Sequence, residues 1–373
     1  MPLKDASVLI ASVSARSLAA AARAAGLVPL TADFFADRDT QELAAASLKL
    51  PGSLSVGFTE APLMEALQQL ADKAPSPVQG VIYGSGFEDK PELLRRISER
   101  WPLLGNDADT VDAINSPDIF FGALEALHIP HPETSLTPPP DPEGWLAKRI
   151  GGAGGSHVVW AGSAHGSHGL YYQRKITGRP VSCLFVGNGE EARILGFSMQ
   201  WAASTSGRLW RYGGAAQPAE LDAPIKDAMS GWVAQLVSHF GLQGLGSADF
   251  LVDREDAQLL EINPRPGATL DIFAATEAPL LSFHLDAVTT RKLPSLPVPP
   301  GAAASAIVFA PRALTIPPDF DWPPYAADLP KPGERIEQDR PICTVQADGS
   351  DAEAARRLAE KRVSSILAAL AAP

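Results

Sequence analysis

The clearest chemistry in this sequence lies in acidic and amide side chains spaced for one face of a strand pair. Between Gly246 and Gly267 the chain reads GSADFLVDREDAQLLEINPRPG. Two short apolar segments, Ser247–Val252 and Gln258–Asn263, flank a polar run from Asp253 to Ala257, the pattern of a β-hairpin with a longer loop. A symmetric loop pairs Val252 with Gln258, and so sets Asp249 opposite Glu261 and Ser247 opposite Asn263. Glu261 and Asn263 are two residues apart and share a face. Like charges directly opposed at roughly 5 Å repel one another, so this pairing needs a cation between the carboxylates. A small set of hard oxygen ligands suits Mg2+, which keeps waters and borrows phosphate oxygens. Asp249, Glu261 and Asn263 are therefore the candidate metal ligands. Arg265, next to a tight Pro-Gly turn, adds a fixed positive fork beside them. The opposite face, with Phe250, Val252, Leu260 and Ile262, is expected to be buried, which argues against a solvated edge hairpin.

A second constellation lies about a hundred residues earlier. Trp145–Ile150 alternates as a strand with Lys148 on one face and Arg149 on the other, and Gly151-Gly152-Ala153-Gly154-Gly155-Ser156 follows. Backbone amides of such a run close over phosphates while the ammonium sits near their oxygens. Lys148, Gly152, Gly154, Gly155 and Ser156 are thus candidate nucleotide-binding residues. His157, His165 and His168 lie in or just past this loop with no Cys or acid cluster to support zinc, and read as loop residues.

The elements that must position these groups are legible in outline. Ser7–Val13 is a buried strand, an Ala-rich helix runs from Ser14 to Gly26, and Val28–Thr31 is a second strand. This βαβ opening lacks a G-x-G-x-x-G, so a dinucleotide site is a weak reading. Ser14 and Ser17 read as capping residues of the helix. Gln79–Tyr83 is a strand followed by Gly84-Ser85-Gly86-Phe87-Glu88. Open α/β sheets place ligands at this end of a strand, which makes Glu88 a candidate substrate contact, with a purely structural strand-to-helix turn as the other reading. Thr137–Pro142 is a stiff linker. Ala223–Phe240 is an amphipathic helix capped by Gly241. Asp271, after the hairpin, is a candidate contact for an amine, with a helix N-terminal acid as the other reading. Pro294–Gly301 reads as a linker, Pro341–Gln346 as a strand and Asp351–Ala372 as a helix.

Composition sets the outer limits. The chain of 373 residues has a formal net charge of −12, which argues against a nucleic-acid or anionic-membrane surface. Two cysteines, Cys183 and Cys343, cannot form a disulfide framework and fit a reducing cytoplasm. No run reaches the roughly 18 apolar residues of a membrane span, and the N-terminus reads as strand and helix rather than a signal peptide. The expected partners are small molecules, with a homodimer as the candidate assembly.

Asp249 followed by Glu261-Ile262-Asn263-Pro264-Arg265-Pro266-Gly267 resembles the metal-binding signature of the ATP-grasp superfamily. The resemblance implies an α/β chain with three parts: a Rossmann-like domain over 1–105, an ATP-grasp domain over 106–292 and a small C-terminal lobe over 293–373. It implies ATP and Mg2+ as cofactors, with the metal held by Asp249, Glu261 and Asn263 and the transferred phosphoryl group steadied by Arg265. The glycine run resembles that family's mobile phosphate loop, with Lys148 in the place of its nucleotide-binding lysine. Tyr171–Ile176 then resembles the adenine-holding hinge, with Gln173 where an acid is usual and backbone groups of Arg174, Lys175 and Ile176 as the contacts. Within the basic, aromatic stretch Arg208–Gly214, the resemblance favours Arg211 as a phosphate or carboxylate contact and Tyr212 as packing on a substrate ring.

The chain departs from the family's pattern in two places. Asn115-Ser116-Pro117-Asp118 stands where a lysine commonly opens the helix, and Pro180 stands where an acid often binds ribose. The implied activity is amide formation between a carboxylate and an amine through an acyl phosphate, with release of ADP. Ser14-Ala15-Arg16-Ser17, Gly86-Phe87-Glu88 and the Pro341–Val345 tail look like ligases of methanofuran-type and other one-carbon cofactor pathways, which join glutamate to tyramine or a related amine. Another amino-acid or purine-type ligase and a non-catalytic nucleotide-binding regulator are the alternatives.

Overall fold

The protein is described by a computed structural model that covers residues 5–52, 56–166, 168–254, 256–274, 278–295 and 301–371. The chain opens as a layered α/β unit. Strands β1 (Ser7–Ala11), β2 (Val28–Asp33), β3 (Ala46–Lys49) and β4 (Val78–Tyr83) form a parallel sheet in the order β3-β2-β1-β4. Every residue of β1 is buried, as expected for a strand covered on both faces. Helices α1 (Arg16–Ala24), α2 (Arg38–Leu43), α3 (Glu60–Asp72) and α4 (Pro91–Ser98) connect and follow these strands. The sequence reading missed the short β3 and α2, and also α3, which buries a regular helical stripe of Leu63, Ala66, Leu67 and Leu70.

Helix α1 is not capped by its serines. Asp33, at the end of β2, accepts from the Ala15 N–H at 2.9 Å, while Ser14 Oγ donates to Asp328.

Helices α5 (Ala108–Asn115) and α6 (Pro117–Ala126) lead into a small antiparallel sheet. It is built from β5 (Thr134–Ser135), β6 (Trp145–Arg149), β7 (Val158–Trp160) and β8 (Leu170–Arg174), in the order β5-β8-β6-β7. The large sheet follows. Its strands are β9 (Arg179–Asn188), β10 (Ala192–Ala202), β11 (Tyr212–Gln217), β12 (Gln243–Asp253), β13 (Asp256–Asn263) and β14 (Ala302–Phe309). Beyond the short β15 (Leu314–Thr315), β16 (Ala326–Ala327) and β17 (Arg335–Ile336), β18 (Pro341–Gly349) completes it, giving the order β13-β12-β9-β10-β11-β14-β18-β16. The sheet is continuous across residue 292, because β14 pairs with β11. Most of the stretch read as a linker, 296–300, lies outside the described residues.

One face of the large sheet is dry. Phe185, Phe250, Ile262 and Cys183 pack there against α7 (Ala223–Phe240), whose Met229, Val233, Leu236 and Val237 are buried. Truncating a phenylalanine as buried as Phe185 or Phe250 costs about 3–5 kcal/mol. Helix α7 ends as its sequence requires, at Gly241 with φ +66°, a left-handed cap that glycine adopts without Cβ strain. Helix α8 (Leu280–Thr290) packs on part of the other face, and α9 (Ala352–Ala371) covers β14 and β18.

Candidate functional site

The β12–β13 hairpin brings the predicted metal ligands together. Asp249 pairs with Glu261 and Ser247 with Asn263, and the register then slips by one residue between Asp249 and Phe250. Because side chains alternate along a strand, this bulge reverses the inside–outside pattern beyond it. Leu259 is therefore fully buried, and Leu260, expected in the core, instead lines a small cavity with Glu261 and Asn263.

The Asp249 carboxylate is held, but by neutral groups. Gln200 Nε2 donates to Asp249 Oδ1 at 3.3 Å, Asn263 Nδ2 donates to Oδ2 at 3.4 Å, and Ser182 also hydrogen-bonds Asp249. Burial and the charge of Glu261 push the Asp249 carboxyl up to about 7, against the opposing pull of Ser182, Arg265 and Gln200. Among the described residues no lysine or arginine forms an ion pair with Asp249 or Glu261. Nor do three His, Cys, Asp or Glu side chains there gather as a protein-only metal cage. Two carboxylates and one amide form a donor set that fits Mg2+ completing its shell with water and phosphate oxygens. The Asn263 oxygen accepts from Arg265 Nη2 at 3.1 Å and keeps a second lone pair.

Arg265 is fixed on two sides. Its Nε donates to Glu88 Oε1 at 2.9 Å, Nη2 lies 2.9 Å from the same oxygen, and Glu88 Oε2 accepts the Gly86 N–H at 2.6 Å. Glu88, expected to touch substrate, is therefore committed to the arginine. Lys148 is buried, and its Nζ donates to Gln173 Oε1 at 2.6 Å. Burial lowers the lysine pKa, and Glu261 and Asp249 oppose that shift. The ammonium thus faces the hairpin acids, and the neutral Gln173 orients it without taking its charge.

The glycine run is packed in place. A Cβ at Gly155 would stand 1.8 Å from the Trp210 carbonyl oxygen, and one at Gly151 would stand 2.6 Å from the Asp89 backbone. Tyr212 N–H also donates to Gly154 O at 3.0 Å. Ser156 completes the turn beside His157, whose pKa burial lowers while Glu261 raises it. Beneath the loop is a cavity of about 50 Å3 lined by Glu88, Asn115, Arg149, Glu261 and Asn263, among others. Ligand pockets are roughly 300–1,000 Å3, so this space as it stands is too small for a nucleotide. Arg149 puts a cation into this space, which Asn115 also lines.

Several expectations need correction. Arg211 does not join the hairpin acids. Its guanidinium stacks 3.7 Å from the Phe309 ring centroid, bonds Asp339 Oδ1 at 3.2 Å and lines a separate cavity of about 480 Å3. Asp271 is not available to an amine, because Arg16 clamps both its oxygens at 2.7 and 2.5 Å. At the hinge, the N–H groups of Arg174 and Lys175 already donate to Glu133 O and Gly144 O. The N–H of Ile176 has no partner among the described residues, so the backbone donors open to a base narrow to that one. Tyr212 is half-buried, with its N–H bound to the glycine run. Gln200, Ser182, Arg149 and His157 were missed. Only the strand pairings bring the first two to Asp249, and no local spacing marks them.

This arrangement is the ATP-grasp fold preceded by a Rossmann-like N-terminal domain: a small and a large antiparallel sheet with a glycine loop between them. Residues 120–269 match the ATP-grasp domain family. Among solved structures, the chain is similar to biotin carboxylase from Campylobacter jejuni, with TM-score 0.73 and 15% identity over 95% of this chain and 90% of that one. It is similar to N5-carboxyaminoimidazole ribonucleotide synthetase from Thermus thermophilus, with TM-score 0.67 and 17% identity over 98% and 99%. A third likeness, with TM-score 0.73 and 13% identity over 95% and 89%, is to the biotin carboxylase domain of Hydrogenobacter thermophilus 2-oxoglutarate carboxylase in complex with MgADP, ADP and bicarbonate. Among the described residues no helix is long and apolar enough to cross a membrane.

Proposed function

We propose that this protein is an ATP-dependent, ADP-forming ligase that joins a carboxylate to an amine through an acyl phosphate. One observation carries the reading: Asp249 and Glu261 face each other across the hairpin with Asn263 beside them and, among the described residues, no protein cation paired to either acid. A carboxylate is a poor acylating agent because it would have to expel oxide, and phosphorylation supplies a leaving group. Positioning and charge neutralisation are then the enzyme's main task. Asp249, Glu261 and Asn263 would hold Mg2+, which when bound offsets charge on the phosphate oxygens. Lys148 binds the nucleotide phosphates, and the amides of Gly152, Gly154, Gly155 and Ser156 close over them. Arg265, locked by Glu88, meets the transferred phosphoryl group as its charge develops. Arg211 drops out of this set.

For substrates we propose glutamate as the acid and an aromatic amine of the tyramine kind as the acceptor, on the resemblance of the Ser14–Ser17, Gly86–Glu88 and Pro341–Val345 segments. The working division of the chain remains 1–105, 106–292 and 293–373. The asparagine at 115 favours one rival, a regulator that binds nucleotide without turnover. An ADP-release screen over amino acids and aromatic amines, glutamate included, separates the two. ADP and phosphate appearing only with both substrates supports the ligase. Nucleotide binding with no turnover across the panel supports the regulator, and pyrophosphate with AMP overturns the acyl-phosphate route.

A further inference from the structure

A buried hydroxyl with no partner costs free energy that the fold does not recover, so each one asks what is meant to meet it. Among the described residues, Tyr212 OH is one of the buried side-chain oxygens with no hydrogen-bond partner. Its place in the sheet is informative. Gln200 reaches Asp249 from β10, Ala202 shares that strand face two residues on, and Ala202 pairs with Tyr212 across to β11. Tyr212 therefore points to the face of the sheet that carries Asp249, Glu261 and Asn263.

The neighbouring acids do not meet its hydroxyl. Asp249 and Asp271 both lie within electrostatic reach of the phenol, and together with burial they raise its pKa well above the usual range. Both oxygens of Asp271 accept from Arg16. Those of Asp249 accept from Gln200 and Asn263. The phenol is thus a donor on the sheet face that carries the candidate metal site, and among the described residues no acceptor of the protein's own meets it. The N–H of the same residue is tied to Gly154 O at 3.0 Å, so the phenol's backbone is joined directly to the glycine loop.

We propose that the Tyr212 hydroxyl is a substrate ligand: it donates its hydrogen bond to a carboxylate oxygen of the acid being activated, which enters while the glycine loop is raised. The proposal rests on the ligase reading for the identity of that acid, and on the unpartnered donor for the existence of the contact.

Tyr212→Phe removes only the oxygen and tests this directly in the full chain. Three quantities are compared with wild type: the melting temperature, MgADP affinity by calorimetry, and L-glutamate affinity for the MgADP complex by calorimetry. Steady-state ADP release with glutamate and amine accompanies them. We expect an equal or higher melting temperature, MgADP affinity within twofold, and glutamate affinity and kcat/KM lowered about 10- to 100-fold, the range of a hydrogen bond to a charged group. Glutamate affinity within twofold of wild type overturns the proposal, as does a lowered melting temperature with weaker MgADP binding, which would reveal an internal partner. Failure of wild-type protein to bind glutamate or any other acid of the panel also overturns it. If acids bind but no ADP is released, the ligase reading fails on its own and the affinity comparison still decides the role of Tyr212.

Discussion

Two groups of buried acids in this molecule are treated in opposite ways. At the seam between the N-terminal sheet and the C-terminal segment, Asp271 and Asp328 close on one arginine, Arg16, which is 6% exposed. Asp39 there accepts the backbone N–H groups of Asp328 and Leu329, and Asp33 accepts those of Ala15, Phe35 and Ala36. At the β12–β13 hairpin, Asp249 accepts only from neutral donors, and among the described residues the charges of Arg265 and Lys148 act on these acids without an ion pair. The seam is finished by the protein itself, while the hairpin is built to be completed by a cation from outside. Charge satisfied internally reads as architecture, and charge left facing a loop and a cavity reads as a site.

The comparison can be broken first at the seam. Arg16→Met should lower stability by about 3–5 kcal/mol, because it leaves Asp271 and Asp328 buried and unpaired, and urea denaturation at pH 7 measures this. A loss below about 1 kcal/mol would mean that the network is solvated. Next comes the hairpin. Glu261→Gln should cut ATP-dependent turnover roughly 100-fold while stability stays level or rises, since a like charge opposite Asp249 is gone. Near-normal turnover at saturating Mg2+ would show that the metal is held elsewhere. Lys148→Ala should weaken ADP binding about tenfold, in the range of a charged hydrogen bond, whereas Arg265→Ala should act chiefly on kcat. Equal losses of ADP affinity in the two variants would reverse their assigned roles.

The smallest effect sharpens the seam. Asp37 is buried beside Asp328, Asp33, Asp39 and Glu334, and burial first, then these charges, push its carboxyl up to about 9, far above the ordinary aspartate range. A native-state pKa above the unfolded one means that the native state binds the extra proton. Stability from this group is therefore full below about pH 4 and declines as pH rises toward about 9. Asp37→Asn should raise stability by about 1 kcal/mol at pH 7 and flatten the profile over that window. An unchanged slope would remove Asp37 from the account.

What could be read from the sequence follows the distance between interacting residues. The Lys148–glycine run was legible because local contiguity fixes it. The Asp249–Glu261 pairing matches although its premise does not, since Val252 pairs with Ala257 rather than Gln258 and the bulge restores the register at Asp249. The bulge at Phe250 was not legible, since no glycine or proline marks it, and so Leu260 read as core although it lines the pocket. Glu88 and Arg265 are 177 residues apart, and Arg16 lies 255 and 312 residues from Asp271 and Asp328. Nothing local announces such pairs, which is why Glu88 and Asp271 read as free substrate contacts. Arg211 failed for the same reason, because Asp339 and Phe309 come from the far end of the chain.

The most direct test of the central claim is calorimetric binding of ADP to the wild-type chain and to Asp249→Asn with Glu261→Gln, each with and without Mg2+. The account predicts that Mg2+ strengthens ADP binding at least about tenfold in the wild type and does nothing measurable in the double variant. An equal Mg2+ effect in both proteins would contradict it and would make the hairpin acids one more internally settled charge cluster.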